Sequence, residues 1–215
     1  MVHSFHIGHS YSDRNVKIFP HSAKGEYDDP YDLMSTANAL MHPSQYGLSG
    51  PGLNGPHLNY LGWLPMDRIF YFGRDGRQNH KIRVSSLSVP HKNTMHWLLI
   101  MIPYDRDDPE NVFTVELRTP IMHDSGIKQA SIIIHRISQI GSSYYSIIIT
   151  HSNEFYELTE GTEWVHFIDY DSTGKYQFIR LSVVKINLTE HYADLKIIST
   201  FDPVSVPWFS IKTSV

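Results

Sequence analysis

From Pro65 onward the sequence breaks into short runs rich in Ile, Val, Tyr and Phe, each closed by Gly, Pro, Asp or Asn. The runs are Arg68 to Phe72, Lys81 to Val89, Trp97 to Ile102, Val112 to Arg118, Ser131 to Ile137 and Tyr144 to Thr150. Trp164 to Ile168, Tyr176 to Ile186, Ala193 to Ser199 and Val206 to Ile211 follow. β-Branched and aromatic residues fit a pleated, half-buried surface, so these runs predict strands. They recur every ten to fifteen residues or so, without helical periodicity between them, which predicts an antiparallel β-sandwich. In Val112 to Arg118, polar Thr114, Glu116 and Arg118 alternate with Phe113, Val115 and Leu117, and only Val112 breaks the pattern. Ile132 to Ile134 and Ile147 to Ile149 predict strands covered on both faces.

Residues 1–64 differ in composition. They are rich in Gly, Pro, His and Ser and predict only short helices. One spans Ser35 to Met41, capped by Ser35 or Thr36. A second spans Asn54 to Leu64, with Asn54 as cap and Pro56 in its first turn. Leu58, Leu61 and Leu64 then share a face, and Pro43 to Gly52 forms a loop. The expected division is 1–64 and 65–215.

Of the 215 residues, 41% are hydrophobic, enough for a packed core, and the net charge of -4 disfavours nucleic acid as a partner. With 0 cysteines there is no disulfide framework and no thiolate metal site. No apolar run is long enough to span a membrane. The first residues, interrupted by His3, His6 and His9, do not read as a signal peptide. Asn187-Leu188-Thr189 is a sequon, used only in a secretory pathway.

Short motifs recur in a definite order. Asp32-Leu33-Met34-Ser35 is followed by Gly50-Pro51-Gly52-Leu53-Asn54 and Leu61-Gly62-Trp63-Leu64. Val115 to Arg118, Asp124 to Ile127 and Ile134-His135-Arg136 come next. In this order the motifs resemble the gametolysin-like and immune-inhibitor-A-like metzincin zinc peptidases, from the Met-turn into the region after the catalytic domain. The resemblance implies a fold that begins as the C-terminal part of a metzincin catalytic domain and continues as a β-sandwich. It also implies zinc as cofactor, a protein or peptide substrate and an extracellular setting. Met34 becomes the apolar floor under the metal, and Asp32 orders the turn through its side chain.

In that family two histidines one turn apart on a helix bind zinc, the glutamate after the first is the general base, and a third histidine follows a sharp glycine turn. The register Phe5-His6-Ile7-Gly8-His9 puts His9 at the second ligand, Phe5 at the first and His6 at the glutamate. Ser12 then stands at the turn glycine and Asn15 at the third ligand, which His21-Ser22 supplies only across six extra residues. The candidate metal residues are therefore His9, His21 and His6. A second grouping takes His3, His6 and His9, and a His-rich terminus without metal is the plain alternative. Glu26, Asp28 and Asp29 are carboxylates that a metal site could recruit, yet no residue takes the catalytic base in register. The expectation is a peptidase relative that is inactive as this chain, either a shortened descendant or a fragment whose Met1 is an internal start. The competing function is a non-catalytic β-sandwich module for protein or glycan.

Four further signals favour structure over chemistry. His135 reads as a strand histidine with one hydrogen-bond partner, and Glu116 and Arg118 as a cross-strand pairing. Asp169 to Gly174 resembles the start of a calcium loop, but Arg180 stands at the twelfth position, where the loop needs a bidentate Glu, so a hairpin turn and no calcium are expected. Tyr104 to Asn111 reads as a solvated acidic loop.

Overall fold

The computed structural model describes residues 2–35, 39–71, 78–104, 111–141, 143–151, 155–171 and 173–200. Its elements are β1 (Tyr11–Ser12), β2 (His42–Ser44), β3 (Gly47–Ser49), α1 (Gly55–Tyr60), β4 (Ile69–Tyr71), β5 (Gln78–Ser85) and β6 (Leu99–Pro103). Then come β7 (Val112–Arg118), β8 (Ser131–Ile140), β9 (Ser143–Ile148), β10 (Glu163–Tyr170), β11 (Tyr176–Asn187) and β12 (Tyr192–Ser199). The chain is mainly β. The expected strand at Val206 to Ile211, most of the acidic loop after Tyr104, and the cap at Thr36 lie outside the described residues.

The strands form three sheets. One has six strands in the order β1-β9-β8-β7-β6-β4, one has four in the order β10-β11-β12-β5, and β2 and β3 form a hairpin. The four-stranded sheet is antiparallel throughout. In the larger sheet, β1 runs parallel to β9 and β4 parallel to β6, departing from the expected antiparallel order at both edges. Each of these edge strands is contributed by the chain before residue 72, which approaches the sheet from outside the meander β6-β7-β8-β9.

Alternation decides what the six-stranded sheet faces. Ile100, Ile102, Phe113, Val115, Leu117, Ile132 and Ile134 point into a large apolar cluster. Ile82, Val84, Trp164, Ile179, Leu181, Val183, Leu195 and Ile197 of the four-stranded sheet complete it. The opposite face carries Leu99, Met101, Val112 and Ile137 in one cluster, and Ile133 and Ile148 in another with Tyr31. All seven residues of β7 are buried, so its alternation separates two interiors rather than core from solvent.

The layer over that second face comes from residues 28–64. Of the described residues of the first expected helix, Ser35 ends a 3-10 turn at Leu33–Ser35 and residues 39–41 are not helical. The second expected helix is shorter than its pattern: Asn54 caps α1 by accepting from the His57 N–H, and Gly62, at φ 68°, turns the chain away. Among the described residues, no helix is long and apolar enough to cross a membrane.

Candidate functional site

Two histidines meet at the N-terminal end. A 3-10 turn over Val2–Phe5 stops at His6, whose φ of 62° reverses the chain. This brings the His3 and His9 rings to a centroid distance of 5.0 Å at 78°. Each ring is oriented through Nδ1: His3 donates to the Ile7 carbonyl at 2.9 Å, and His9 to the Glu26 carboxylate at 2.7 Å. Such partners fix the tautomer and leave Nε2 as the lone-pair nitrogen. The Tyr27 hydroxyl lies 3.2 Å from His9 Nε2. Burial opposes the charge on Glu26, but the hydrogen bonds from His9 and the Ala23 N–H outweigh it and hold the carboxyl below its usual range.

Below this pair, Ile7 is buried with Met34 and Leu53. Met34 thus underlies the segment that carries both imidazoles. Asp32 orders the turn, accepting from the Met34 N–H at 3.1 Å. His6 is exposed at the turn, while His21 stacks on Phe19 at 5.5 Å and lies near enough to Glu26, the partner of His9, to help lower that carboxyl. Among the described residues, no three His, Asp or Glu side chains are grouped to hold a metal, so His6, His9 and His21 do not form a ligand trio. The donors present are two imidazoles with a supporting carboxylate. They fit two positions of a tetrahedral zinc site.

A second constellation lies behind the first, between residues 28–57 and the sheet. Arg118 holds Asp124 with two bonds, 3.0 Å and 2.6 Å, and also reaches the Tyr31 carbonyl at 2.9 Å and Glu116 at 3.1 Å. Glu116 accepts from the Gly55 N–H at 2.5 Å. His135 Nε2 bonds Asp29 at 3.0 Å, and Asn54 bridges Asp29 and Ser146 at 3.1 Å and 2.8 Å. Asp28 accepts from Ser12 at 2.7 Å and Tyr156 at 3.2 Å. Ser10 Oγ and His57 Nδ1 both donate to Asp32 Oδ2, each at 2.5 Å.

Burial and charge act against each other throughout this network. Desolvation raises the Glu116 carboxyl above its usual range despite His135 and Arg118 beside it. Desolvation also opposes the charge on His135, but Asp29 and Glu116 outweigh it and raise the imidazole. Asp32 is held low because His57, Ser10 and the Met34 N–H prevail over its burial. Arg118 lowers Asp124 in the same way.

Ser, His and Asp meet here, but in an order that does not generate a nucleophile. Ser10 Oγ donates to Asp32 and not to His57, whose Nε2 is buried without a partner. All three residues have 0% exposure, so substrate does not reach them. The cluster binds one layer to another. His57 escaped the sequence reading, although its place three residues after the Asn54 cap put it on the buried side of α1.

In the hairpin formed by β10 and β11, Asp169 pairs with Gln177 and Arg180 with Val165, and Asp171 accepts from the Thr173 and Lys175 N–H groups at 2.8 Å and 2.9 Å, which closes the turn internally. Compared with known proteins, the chain matches no family model, no curated protein and no solved structure.

Proposed function

We propose that residues 2–64 correspond to the C-terminal portion of a gametolysin-like metzincin catalytic domain, with His3 and His9 as a two-imidazole metal site. The observation that carries this reading is the pair itself, brought together across a left-handed turn at His6. The metzincin pattern H-E-x-x-H-x-x-G-x-x-H places its last two ligands six residues apart around a glycine. His3-x-x-His6-x-x-His9 has that spacing, with His6 in the conformation that glycine favours. This register replaces the one centred on His9 and His21. His3 and His9 take the last two ligand positions of that pattern, and two imidazoles alone bind zinc weakly.

Zinc titration by calorimetry tests the assignment. His3→Ala and His9→Ala should each abolish binding, and His21→Ala should leave it unchanged. Placing His-Glu directly before Met1 should tighten zinc binding by about tenfold or more and give chelator-sensitive casein cleavage. Zinc binding that survives both His3→Ala and His9→Ala would sink the reading.

Residues 65–200 are read as a β-sandwich accessory to that domain, supported by the apolar cluster common to the two large sheets. A peptide substrate and an extracellular setting follow from the resemblance alone. A separate observation favours a binding role for the sandwich: Phe167, Tyr170 and Tyr176 are exposed and gather with centroids 5.0 to 5.7 Å apart. Such a cluster suits contact with protein or glycan.

A further inference from the structure

Arg136 belongs to none of the networks above. On β8 it shares a face with Ile132 and Ile134, opposite Phe113 of β7 and Ile147 of β9, at the rim of the large apolar cluster. Its side chain is half-buried and makes no hydrogen bond or ion pair with any described residue; the Nε atom is fully buried without a partner. A guanidinium stays charged at every physiological pH and carries five N–H donors in a planar fork. Leaving the buried Nε–H unpaired beside a hydrophobic core is costly, and such an orphaned donor marks the place of an absent acceptor.

The surroundings specify that acceptor. Arg136 lines a cleft of about 350 Å³ between the edge strand β10 and the end of β9, together with Ile149, Trp164, Val165 and His166. Trp164 and His166 stack at 5.6 Å and 10°, with Phe113 edge-on to both. Two carboxylates also reach the cleft, but each is engaged. Asp13 accepts from the Thr150 N–H and hydroxyl, and Glu163 accepts from Ser182. Their negative charge disfavours a multiply charged anion such as phosphate. The fork favours a planar, singly charged partner, and the aromatic and aliphatic wall favours one with an apolar body.

We propose that this cleft binds an organic monocarboxylate, with its two oxygens on the Arg136 guanidinium and its apolar body along Ile149, Trp164 and Val165. The carboxylate comes from a free aromatic acid or from the C-terminus of a peptide, and the chemistry is shared. His166 reports on occupancy: burial first, and then the Arg136 charge, lower its pKa, so a carboxylate on Arg136 moves it back up.

The test is an NMR titration of the full chain, following the His166 and Trp164 ring signals. Its probes are benzoate, N-acetylphenylalanine, the amides of both, and inorganic phosphate. At least one acid should bind saturably with a Kd of about 1 mM or tighter, and its amide about tenfold or more weaker. Arg136→Gln should weaken the acid by a similar factor, with Arg136→Lys in between. Tighter binding of N-acetylphenylalanine assigns a peptide terminus, and tighter binding of benzoate a free acid. Amides that bind as well as acids, phosphate tighter than either acid, or the absence of saturable shifts would overturn the proposal. The acid-to-amide comparison on the unaltered protein decides the matter even where Arg136→Gln fails to fold.

Discussion

At the scale of single residues, this protein invests charge where most β proteins place oil. Glu116, Arg118 and His135 sit on strands in full burial, and each is stabilised by partners from a distant part of the chain. The sequence showed the period of β7 but not the destination of its polar face. Polar residues at every second position ordinarily mark solvent, and nothing in Val112 to Arg118 reveals a second layer above them. Val112 was the one hint, because an apolar residue on the polar face has no reason to face water. Asp32 offers the sharpest test. Its folded pKa lies below its unfolded value, so its contribution to stability is complete above about pH 4 and is lost as pH falls through the lower, folded value. The urea midpoint should therefore fall steeply below pH 4. Asp32→Asn should cost about 3 kcal/mol or more at neutral pH by removing the anion from buried His57, and should flatten the acid limb. An Asp32→Asn variant with the original acid profile would remove Asp32 from that account.

At the scale of elements, the helix α1 is placed by a backbone group rather than by a side chain. Its first residue, Gly55, donates its N–H to Glu116, and a Cβ there would collide with Glu116 Oε2 and Leu99 Cδ1. Glycine is needed because helix and sheet approach too closely for any larger residue. Gly55→Ala should cost about 2 kcal/mol through overpacking, although alanine is the better helix former. Gly8→Ala is the control, since a Cβ there meets nothing within 4 Å, and it should change thermal stability by less than about 0.5 kcal/mol. Equal melting curves for the two variants would contradict this picture of the contact. The capped start of α1 was legible in Asn54 and Pro56, because capping is local chemistry. Its early end and the parallel edges of the six-stranded sheet were not, because both depend on where the chain lies against β-strands far away in sequence.

At the scale of the whole molecule, the ordered motifs prove to be a single interface. Asp29, Tyr31 and Gly55 from the first layer meet His135, Arg118 and Glu116 from the sheet, and Gly52 meets Asp124 in its flanking turn, across 61 to 106 residues of chain. The composition shift at Pro65 is real in sequence, yet the buried network crosses it. Residues 28–57 satisfy the donors and acceptors of β7, β8 and β9, and β1 occupies the outer edge of β9. A free-standing β-sandwich would survive removal of the first layer. This architecture predicts the opposite. Without residues 1–64, Glu116 loses the Gly55 N–H, His135 loses Asp29, Arg118 loses the Tyr31 carbonyl, and the apolar face carrying Leu99, Met101, Val112, Ile133 and Ile137 meets water. Each stranded buried charge costs several kcal/mol, against a total stability of about 5 to 15 kcal/mol for an ordinary domain. The fragment 65–215 should therefore give collapsed amide dispersion in its ¹H–¹⁵N spectrum and no cooperative thermal transition, while the full chain melts in one step. A well-dispersed, cooperatively melting fragment would mean that the network joins two independent units instead of completing one.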